Sequence, residues 1–281
     1  MSALTDRLLA VLDREFRTIR RARVTRLVAG VVLGVCLAVA ALSGRSGYIQ
    51  LSVALLTPME LLVPVAAAAL GYRTIQVERE RGELDVVRTF PVSSVEYVGG
   101  VYLGRAVTLV GLVVGALLLT SLAVPLYSLS PAGLTRTPGV DSPVYFLRFV
   151  VLTGWFAAMT LAVVLALSTL VRTGRRVLAL TLLVVVLLSF GFDLAIVLGL
   201  ASGVVGPAGL PWYLALSPAS AYRGLVLTSV LAPLTTGEAA AAAIPAANAL
   251  SLLCWTGGPL AAAGAFGWVP PTYSLADSSE A

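Results

Sequence analysis

Long apolar runs, separated by short segments that carry arginine, recur along the whole of this 281-residue chain. A helix needs roughly 20 apolar residues to cross the hydrocarbon core of a bilayer, and several of these runs approach or reach that length. Hydrophobic residues make up 58% of the chain and charged residues only 12%. Because the bilayer core offers no water to the backbone, a long apolar segment that crosses it satisfies its own hydrogen bonds as a helix. The sequence therefore predicts an all-α integral membrane protein.

Six of the apolar runs are predicted to span the membrane. They are, in order, Leu27–Leu42, Leu51–Tyr72, Val101–Val124, Phe149–Val171, Val177–Leu200 and a less sharply bounded helix within Pro245–Val269. Pro58 and Pro64 are expected to interrupt the second span, because proline removes a backbone donor and clashes with the preceding turn.

A further apolar stretch, Trp212–Leu231, is broken by prolines and by Arg223. Two short re-entrant or interfacial helices fit this pattern better than a seventh crossing, since irregular backbone at membrane depth must be covered by protein or face a water-filled cavity. Residues 201–245 are therefore assigned to an extracytoplasmic re-entrant region before the last span.

The arginines predict the orientation. Segments 1–26, 73–96 and 172–176 hold seven, four and three of the 19 basic residues, and an N-terminus-inside arrangement of six spans places all three on the cytoplasmic side. The extracytoplasmic loops then keep Arg45, Arg136, Arg148 and Arg223. This bias also accounts for the net charge of +5 without a nucleic-acid partner. The predicted location is the plasma membrane.

The N-terminal segment, residues 1–26, has a helical pattern of its own. Leu4, Leu8, Leu12 and Phe16 recur every four residues, with charged residues on the other faces. This pattern predicts an amphipathic helix that lies in the membrane surface, with a soluble helix packed on a partner as the alternative.

The residue types that the sequence lacks exclude several kinds of catalytic and metal-binding site. All 19 basic residues are arginine, so the chain has no lysine for a P-loop, and it has no histidine for a Ser-His-Asp triad or a histidine-ligated metal. The soft-metal ligands within the predicted spans are dispersed: Cys36, Cys254, Met59 and Met159. We therefore expect neither a catalytic residue nor a metal site in this chain.

A dense cluster of charge lies between the second and third spans, within residues 73–96. Its residues of mixed charge, with one glycine that permits a turn, are Glu78, Arg79, Glu80, Arg81, Gly82, Glu83 and Asp85. Pro91 is expected to end a helix, and Ser93 or Ser94 to cap the next one with Glu96 in its first turn. Such a surface suits pairing across a polar interface, although a solvated loop that only maintains orientation is the alternative.

Several segments resemble the permease subunits of ABC-2 type transporters. The resemblance is carried by EFRTIRRARV at 15–24 and ERERGELDVVRTFPVSSVEYVGGVYLGR at 78–105, with FDL at 192–194 and LSPASAYRGLVL at 216–227. Within that family the chain is most similar to the NosY-like, copper-type permeases of nitrous-oxide reductase maturation. The C-terminal PPTYSLADSSEA departs from the basic cytoplasmic tail that is usual there.

The resemblance implies a single permease domain over residues 1–281, forming the membrane pathway of an exporter. Residues 73–96 would form coupling and gating helices on which a separate ATPase subunit, itself holding ATP and Mg²⁺, acts. The expected partners are this ATPase, a second permease in a homodimer, the lipid bilayer and an extracytoplasmic accessory protein. The implied cargo is a small substrate, such as a sulfur-containing species used in metal-centre assembly.

Two carboxylates, Glu60 and Asp193, fall at membrane depth in the second and fifth spans. Ionisable residues there are costly and usually functional, so both are candidates for a shared polar pathway. A structural role, in which each accepts hydrogen bonds from Thr, Ser or Arg, is the alternative. The same two residues also support a second hypothesis, a secondary transporter or channel without an ATPase, and a third is a membrane scaffold that transports nothing.

Overall fold

The chain folds into a bundle of helices in the computed structural model, which describes residues 22–43, 47–72, 93–128, 141–170, 174–206, 209–231 and 244–266. The α-helices in these ranges are α1 (Arg23–Ser43), α2 (Tyr48–Gly71), α3 (Ser94–Ser121), α4 (Ala123–Ser128), α5 (Pro143–Leu170), α6 (Gly174–Val186), α7 (Phe192–Ala201), α8 (Leu210–Leu216), α9 (Pro218–Val230) and α10 (Pro245–Phe266). One turn of π-helix, Leu187–Gly191, joins α6 to α7. The predicted all-α fold is confirmed for the described residues.

Five of the described helical segments are long and apolar enough to cross a membrane. They are Arg23–Ser43, Tyr48–Gly71, Ser94–Leu126, Pro143–Thr169 and Arg176–Ala201. The predicted sixth span does form a helix, α10, of 22 residues, but it is not among the five. A sixth crossing by α10, which contains Pro245, Asn248 and Pro259, therefore stays a prediction.

Helix α5 is the centre of the bundle. It packs against α2, α3, α9 and α10, and it is the most buried of the five segments. Its fully buried side chains include Phe149, Phe156 and Met159. By contrast, α1 and the segment formed by α6, the π turn and α7 are the least buried, which leaves their apolar faces for lipid or a second subunit.

Helices α1, α2, α3, α5 and α6 begin earlier than the predicted spans, and for α3 a polar cap, rather than the first apolar residue, sets the start. Helix α3 begins at Ser94 instead of Val101: the Ser93 hydroxyl accepts from the Glu96 backbone N–H (3.2 Å), and the Glu96 carboxylate accepts from the Ser93 N–H (2.6 Å). This reciprocal capping box satisfies two donors at the helix start. The predicted cap and the position of Glu96 are confirmed.

The expected interruption of the second span is wrong. Pro58 and Pro64 both lie inside one continuous helix, α2. A proline in a membrane helix is tolerated where neighbouring groups satisfy the carbonyl that it leaves without a donor four residues earlier. For Pro64 that carbonyl belongs to Glu60.

Two predicted segments lie mostly outside the described residues. They are residues 1–21 of the N-terminal amphipathic helix and residues 73–92 of the charged segment, the latter containing Glu78, Arg79, Glu80, Arg81, Gly82, Glu83 and Asp85. Arg23 and Arg26, assigned to the end of the amphipathic helix, belong to the first two turns of α1.

The N-terminus of α2 is capped by a residue more than 90 positions away. Both carboxylate oxygens of Asp141 accept backbone hydrogen bonds, Oδ2 from Tyr48 N–H and Oδ1 from Ile49 N–H, each at 2.9 Å. Gly47 precedes this helix at a φ of 116°, a conformation that favours glycine, and a Cβ there would lie 2.4 Å from Asp141 Oδ2. The carboxylate thus binds the start of α2 to the start of α5.

We expect Asp141→Ala to lower the melting temperature of the purified protein by several degrees. The change leaves two helix-terminal N–H groups without their acceptor and removes a negative charge from a helix N-terminus, a loss of about 1–3 kcal/mol. Thermal unfolding in detergent, followed by loss of monodisperse protein, measures it. Asp141→Asn is the matched control and should cost less, because one side-chain oxygen remains. Equal melting temperatures for Asp141→Ala and wild type would contradict this capping role.

Candidate functional site

Helix α9 contacts three parts of the bundle through three consecutive residues. The Tyr222 ring is fully buried, stacks on Phe156 of α5 with centroids 4.5 Å apart, and its hydroxyl lies 2.8 Å from the Thr153 hydroxyl. A Cβ on Gly224 would lie 2.4 Å from the side-chain nitrogen of Asn248, so α9 and α10 approach closely there. Between these two contacts, α9 directs Arg223 away from α5 and α10.

Arg223 joins the two carboxylates that the sequence places at membrane depth. Its Nε donates to Glu60 Oε1 at 2.8 Å and its Nη2 to Glu60 Oε2 at 2.6 Å, a two-pronged ion pair. Its Nη1 lies 3.3 Å from Asp193 Oδ2. The three side chains come from α9, α2 and α7, and we call them the charge cluster. Paired, hydrogen-bonded geometry of this kind is what allows charge to exist inside a membrane protein.

Asp193 is held by two serines as well as by Arg223. Its Oδ1 accepts from the hydroxyls of Ser217 (3.2 Å) and Ser220 (2.5 Å). Ser217 also caps α9, because its hydroxyl accepts from the Ser220 N–H at 3.2 Å. Asp193 is the second residue after the π turn, and an extra residue in a helical turn rotates the residues after it. The π turn and the α9 cap therefore both affect where this carboxylate lies.

The prolines of α2 also contribute to the site. Pro64 has no N–H to donate to the carbonyl of Glu60, one turn earlier. The hydroxyl of Ser189, in the π turn, lies 3.5 Å from that carbonyl oxygen, at the long end of a hydrogen bond. The Glu60 carbonyl, which Pro64 leaves without its helical donor, thus faces the π turn of the opposite helix, next to the charge cluster.

A cavity of about 320 Å³ adjoins the charge cluster. Its uncharged lining residues are Thr57, Pro58, Leu61, Ser189 and Phe190. Side-chain exposure is 7% for Glu60, 27% for Asp193 and 39% for Arg223, so the cluster runs from a buried end to an open end. Since one water takes up about 30 Å³ of liquid, the space admits a small solute or several waters.

Glu60 and Asp193 line one cavity, as a shared pathway requires. They also have the Ser and Arg partners that a structural role requires. The assignment of Arg223 to the extracytoplasmic loops is where the expectation differs from the structure: Arg223 lies in helix α9, within the stretch predicted to form two short helices, and it pairs with both acids. The signal that reveals it is the spacing of Ser217, Ser220 and Arg223, three residues apart, which places all three on one helix face.

The comparisons with known proteins agree with this architecture. Residues 9–266 match the ABC-2 family transporter protein family, which is nearly the whole chain. The chain belongs to this family. It is 30% identical over 252 residues to the probable ABC transporter permease protein NosY of Pseudomonas aeruginosa, covering 85% of this chain and 88% of that one. It is 31% identical over 253 residues to the protein of the same description from Stutzerimonas stutzeri, covering 83% and 86%.

These matches show that the protein is an ABC transporter permease subunit and a multi-pass membrane protein whose family works with an ATPase subunit. Two of the segments that carried the resemblance, FDL and LSPASAYRGLVL, contain residues of the charge cluster and its serine partners: Asp193, Ser217, Ser220 and Arg223. In the described residues no group of three or more His, Cys, Asp or Glu side chains is arranged to hold a metal ion.

Proposed function

We propose that this permease forms the membrane pathway of an ATP-driven exporter and that its substrate passes the cavity beside the charge cluster. The observation that carries the proposal is a pair of intramembrane acids on different helices, joined by one arginine and open to one cavity. ATP and Mg²⁺ are held by the ATPase partner, while this chain contributes no catalytic residue. Its similarity to NosY permeases extends the proposal to the maturation of a metal centre, nitrous-oxide reductase being the case that the family resemblance implies.

Residues 73–96 are proposed as the surface on which the ATPase acts. The helix that follows this segment is well anchored: besides the capping box at Ser93, the Ser94 hydroxyl donates to the Gly264 carbonyl of α10 at 2.7 Å. Arg105, further along α3, donates to the Leu70 carbonyl in the last turn of α2. A displacement of the charged segment would therefore be passed to α2, α3 and α10 together.

Six spans with a cytoplasmic N-terminus complete the proposal. The arginine distribution supports this orientation. The pairing of Arg223 with Glu60, near the middle of α2, supports a re-entrant path for α8 and α9, because α9 then reaches the depth of the middle of a spanning helix. Helix α10 then returns the chain to the cytoplasmic side.

A homodimer is proposed from α1, one of the two least buried segments of the bundle. In α1, a Cβ on Gly30 or Gly34 would meet no atom within 4 Å, so this face is open. The GxxxG spacing of these two residues lets a second helix approach the backbone closely in a membrane. An extracytoplasmic accessory protein would meet the opposite side from the ATPase.

Thiol labelling tests the orientation on which the proposal depends. In a Cys36→Ala, Cys254→Ala background, we expect Arg79→Cys and Arg175→Cys to react with a membrane-impermeant reagent only after the cells are opened. Ser202→Cys, in the exposed turn after α7, should react in intact cells. If Arg79→Cys reacts from outside, a cytoplasmic ATPase has no access to residues 73–96, and the proposed function is wrong.

A further inference from the structure

The charge cluster is not neutral. It contains two carboxylates and one guanidinium, and among the residues that the structure describes, the others that line its cavity carry no charge. With all three groups ionised, the cavity has a net charge of −1. An uncompensated charge away from bulk water interacts strongly with any ion that enters, because the effective dielectric constant there is well below that of water. The sign of this excess charge determines which ions the cavity favours.

The two carboxylates share the arginine unequally. Glu60 receives both prongs of the guanidinium at 2.6 and 2.8 Å and is almost fully buried. Asp193 receives one contact at 3.3 Å and is the more exposed acid. A two-pronged, buried pair is the stronger of the two, since paired hydrogen bonds to a fixed fork add geometry to charge. Arg223 therefore belongs with Glu60, and the contact with Asp193 is the one that can be exchanged.

The two carboxylate oxygens of Asp193 also differ in the hydrogen bonds that they accept. Its Oδ1 already accepts from the hydroxyls of Ser217 and Ser220. Its Oδ2 has the long contact with Arg223 Nη1 as its hydrogen bond. A carboxylate oxygen can accept two hydrogen bonds, so Oδ2 retains acceptor capacity. The excess negative charge of the cluster is thus concentrated at one oxygen of the acid at the open end.

We propose that the cavity selects positively charged substrate groups, with Arg223 as the positioning residue and Asp193 as the carboxylate that contacts the substrate. This inference rests on the proposed function, because it assigns a substrate class to the same pathway. A cation at Asp193 Oδ2 takes the place of one weak contact and neutralises the cluster. An anion meets a guanidinium whose fork is already occupied by Glu60, and it is repelled by both carboxylates.

Charged thiol reagents measure this selectivity without knowledge of the natural substrate. The reporter is Thr57→Cys, which lines the cavity, in a Cys36→Ala, Cys254→Ala permease assembled with its ATPase in nanodiscs. The probes are a cationic and an anionic methanethiosulfonate of similar size. We expect the cationic reagent to react at least tenfold faster, since about tenfold is the ratio that one unit of negative charge roughly 6 Å away produces in bulk water for probes of opposite sign, and a lower effective dielectric constant increases it.

Two comparisons separate the charge of the cavity from the intrinsic rates of the reagents. Ser121→Cys lines a different cavity, with Tyr48 and Phe146, and is the control for accessibility. Because Asp141 lies beside Tyr48, the reference ratio comes instead from the rates of the two reagents with free 2-mercaptoethanol. Asp193→Asn should bring the ratio at Thr57→Cys to this reference, whereas Asp193→Glu should preserve the preference for the cation.

The outcomes distinguish the inference from the function on which it rests. Equal rates for the two reagents at Thr57→Cys, after correction by the reference, would overturn the selectivity while leaving a water-accessible pathway. A preference that survives in Asp193→Asn would overturn the role of Asp193. If neither reagent reacts at Thr57→Cys while both react at Ser121→Cys, the cavity is closed to water and the proposed pathway itself is wrong.

Discussion

Replacing Arg223 by Gln is expected to destabilise the permease more than any other single change in the charge cluster. Glu60, which is almost fully buried, would lose its cationic partner and both of its strongest hydrogen bonds. Breaking a buried ion pair by removing one partner typically costs about 3–5 kcal/mol. Because 39% of the Arg223 side chain is exposed, water recovers part of that loss, and we expect about 2–3 kcal/mol. Thermal unfolding of purified protein, together with the yield of monodisperse protein, measures the effect.

A double-mutant cycle shows whether charge is the cause. Glu60→Gln with Arg223→Gln removes both members of the pair, so the uncompensated charge disappears and much of the lost stability should return. Asp193→Asn is the matched control, and we expect a smaller effect, because its contact with Arg223 is longer and its site is more exposed. If the stability losses of Glu60→Gln and Arg223→Gln simply add in the double variant, Arg223 stabilises the protein through packing, and the ion pair makes no separate contribution.

The helices could be predicted from this sequence because the residues that determine each helix are close together in the chain. Apolar runs of sufficient length identify α1, α2, α3, α5 and the segment from α6 to α7, and the serine, glutamate pattern at 93–96 identifies a cap that depends on only four residues. Helix starts were less predictable where the cap is distant. Nothing near Tyr48 in the sequence indicates that Asp141 accepts from its backbone.

The charge cluster was predictable in part. The two acids stood out because the membrane makes an isolated charge costly. Arg223 did not, because it was counted with the arginines of the extracytoplasmic loops, although the stretch Trp212–Leu231 is predicted to form two short helices. In the structure, Pro218 begins α9 after the Ser217 cap, and Arg223 lies inside this helix. A pairing between three separate helices depends on tertiary packing that no single segment encodes.

Reversing Glu78, Glu80 and Glu83 together to Arg is expected to abolish coupling to the ATPase while leaving the membrane bundle folded. The family to which the chain belongs works with a separate ATPase subunit, and the densest mixed-charge segment of the sequence is the proposed docking site. Placing like charges opposite one another across an interface costs several kcal/mol, and a loss of about 3 kcal/mol weakens binding roughly a hundredfold. A solvated loop would tolerate the same changes with little effect.

The measurement uses the permease purified with its ATPase and reconstituted in lipid. Co-elution and ATP turnover are compared for wild type, the triple reversal and Glu238→Arg, a charge reversal on the opposite predicted side of the membrane. Gly82→Pro adds a backbone test, because it should reduce turnover without any change in charge. Loss of co-elution and turnover in the triple reversal, with Glu238→Arg unaffected, would support docking at residues 73–96. Unchanged binding and turnover in the triple reversal would mean that the ATPase acts on a different surface of the permease.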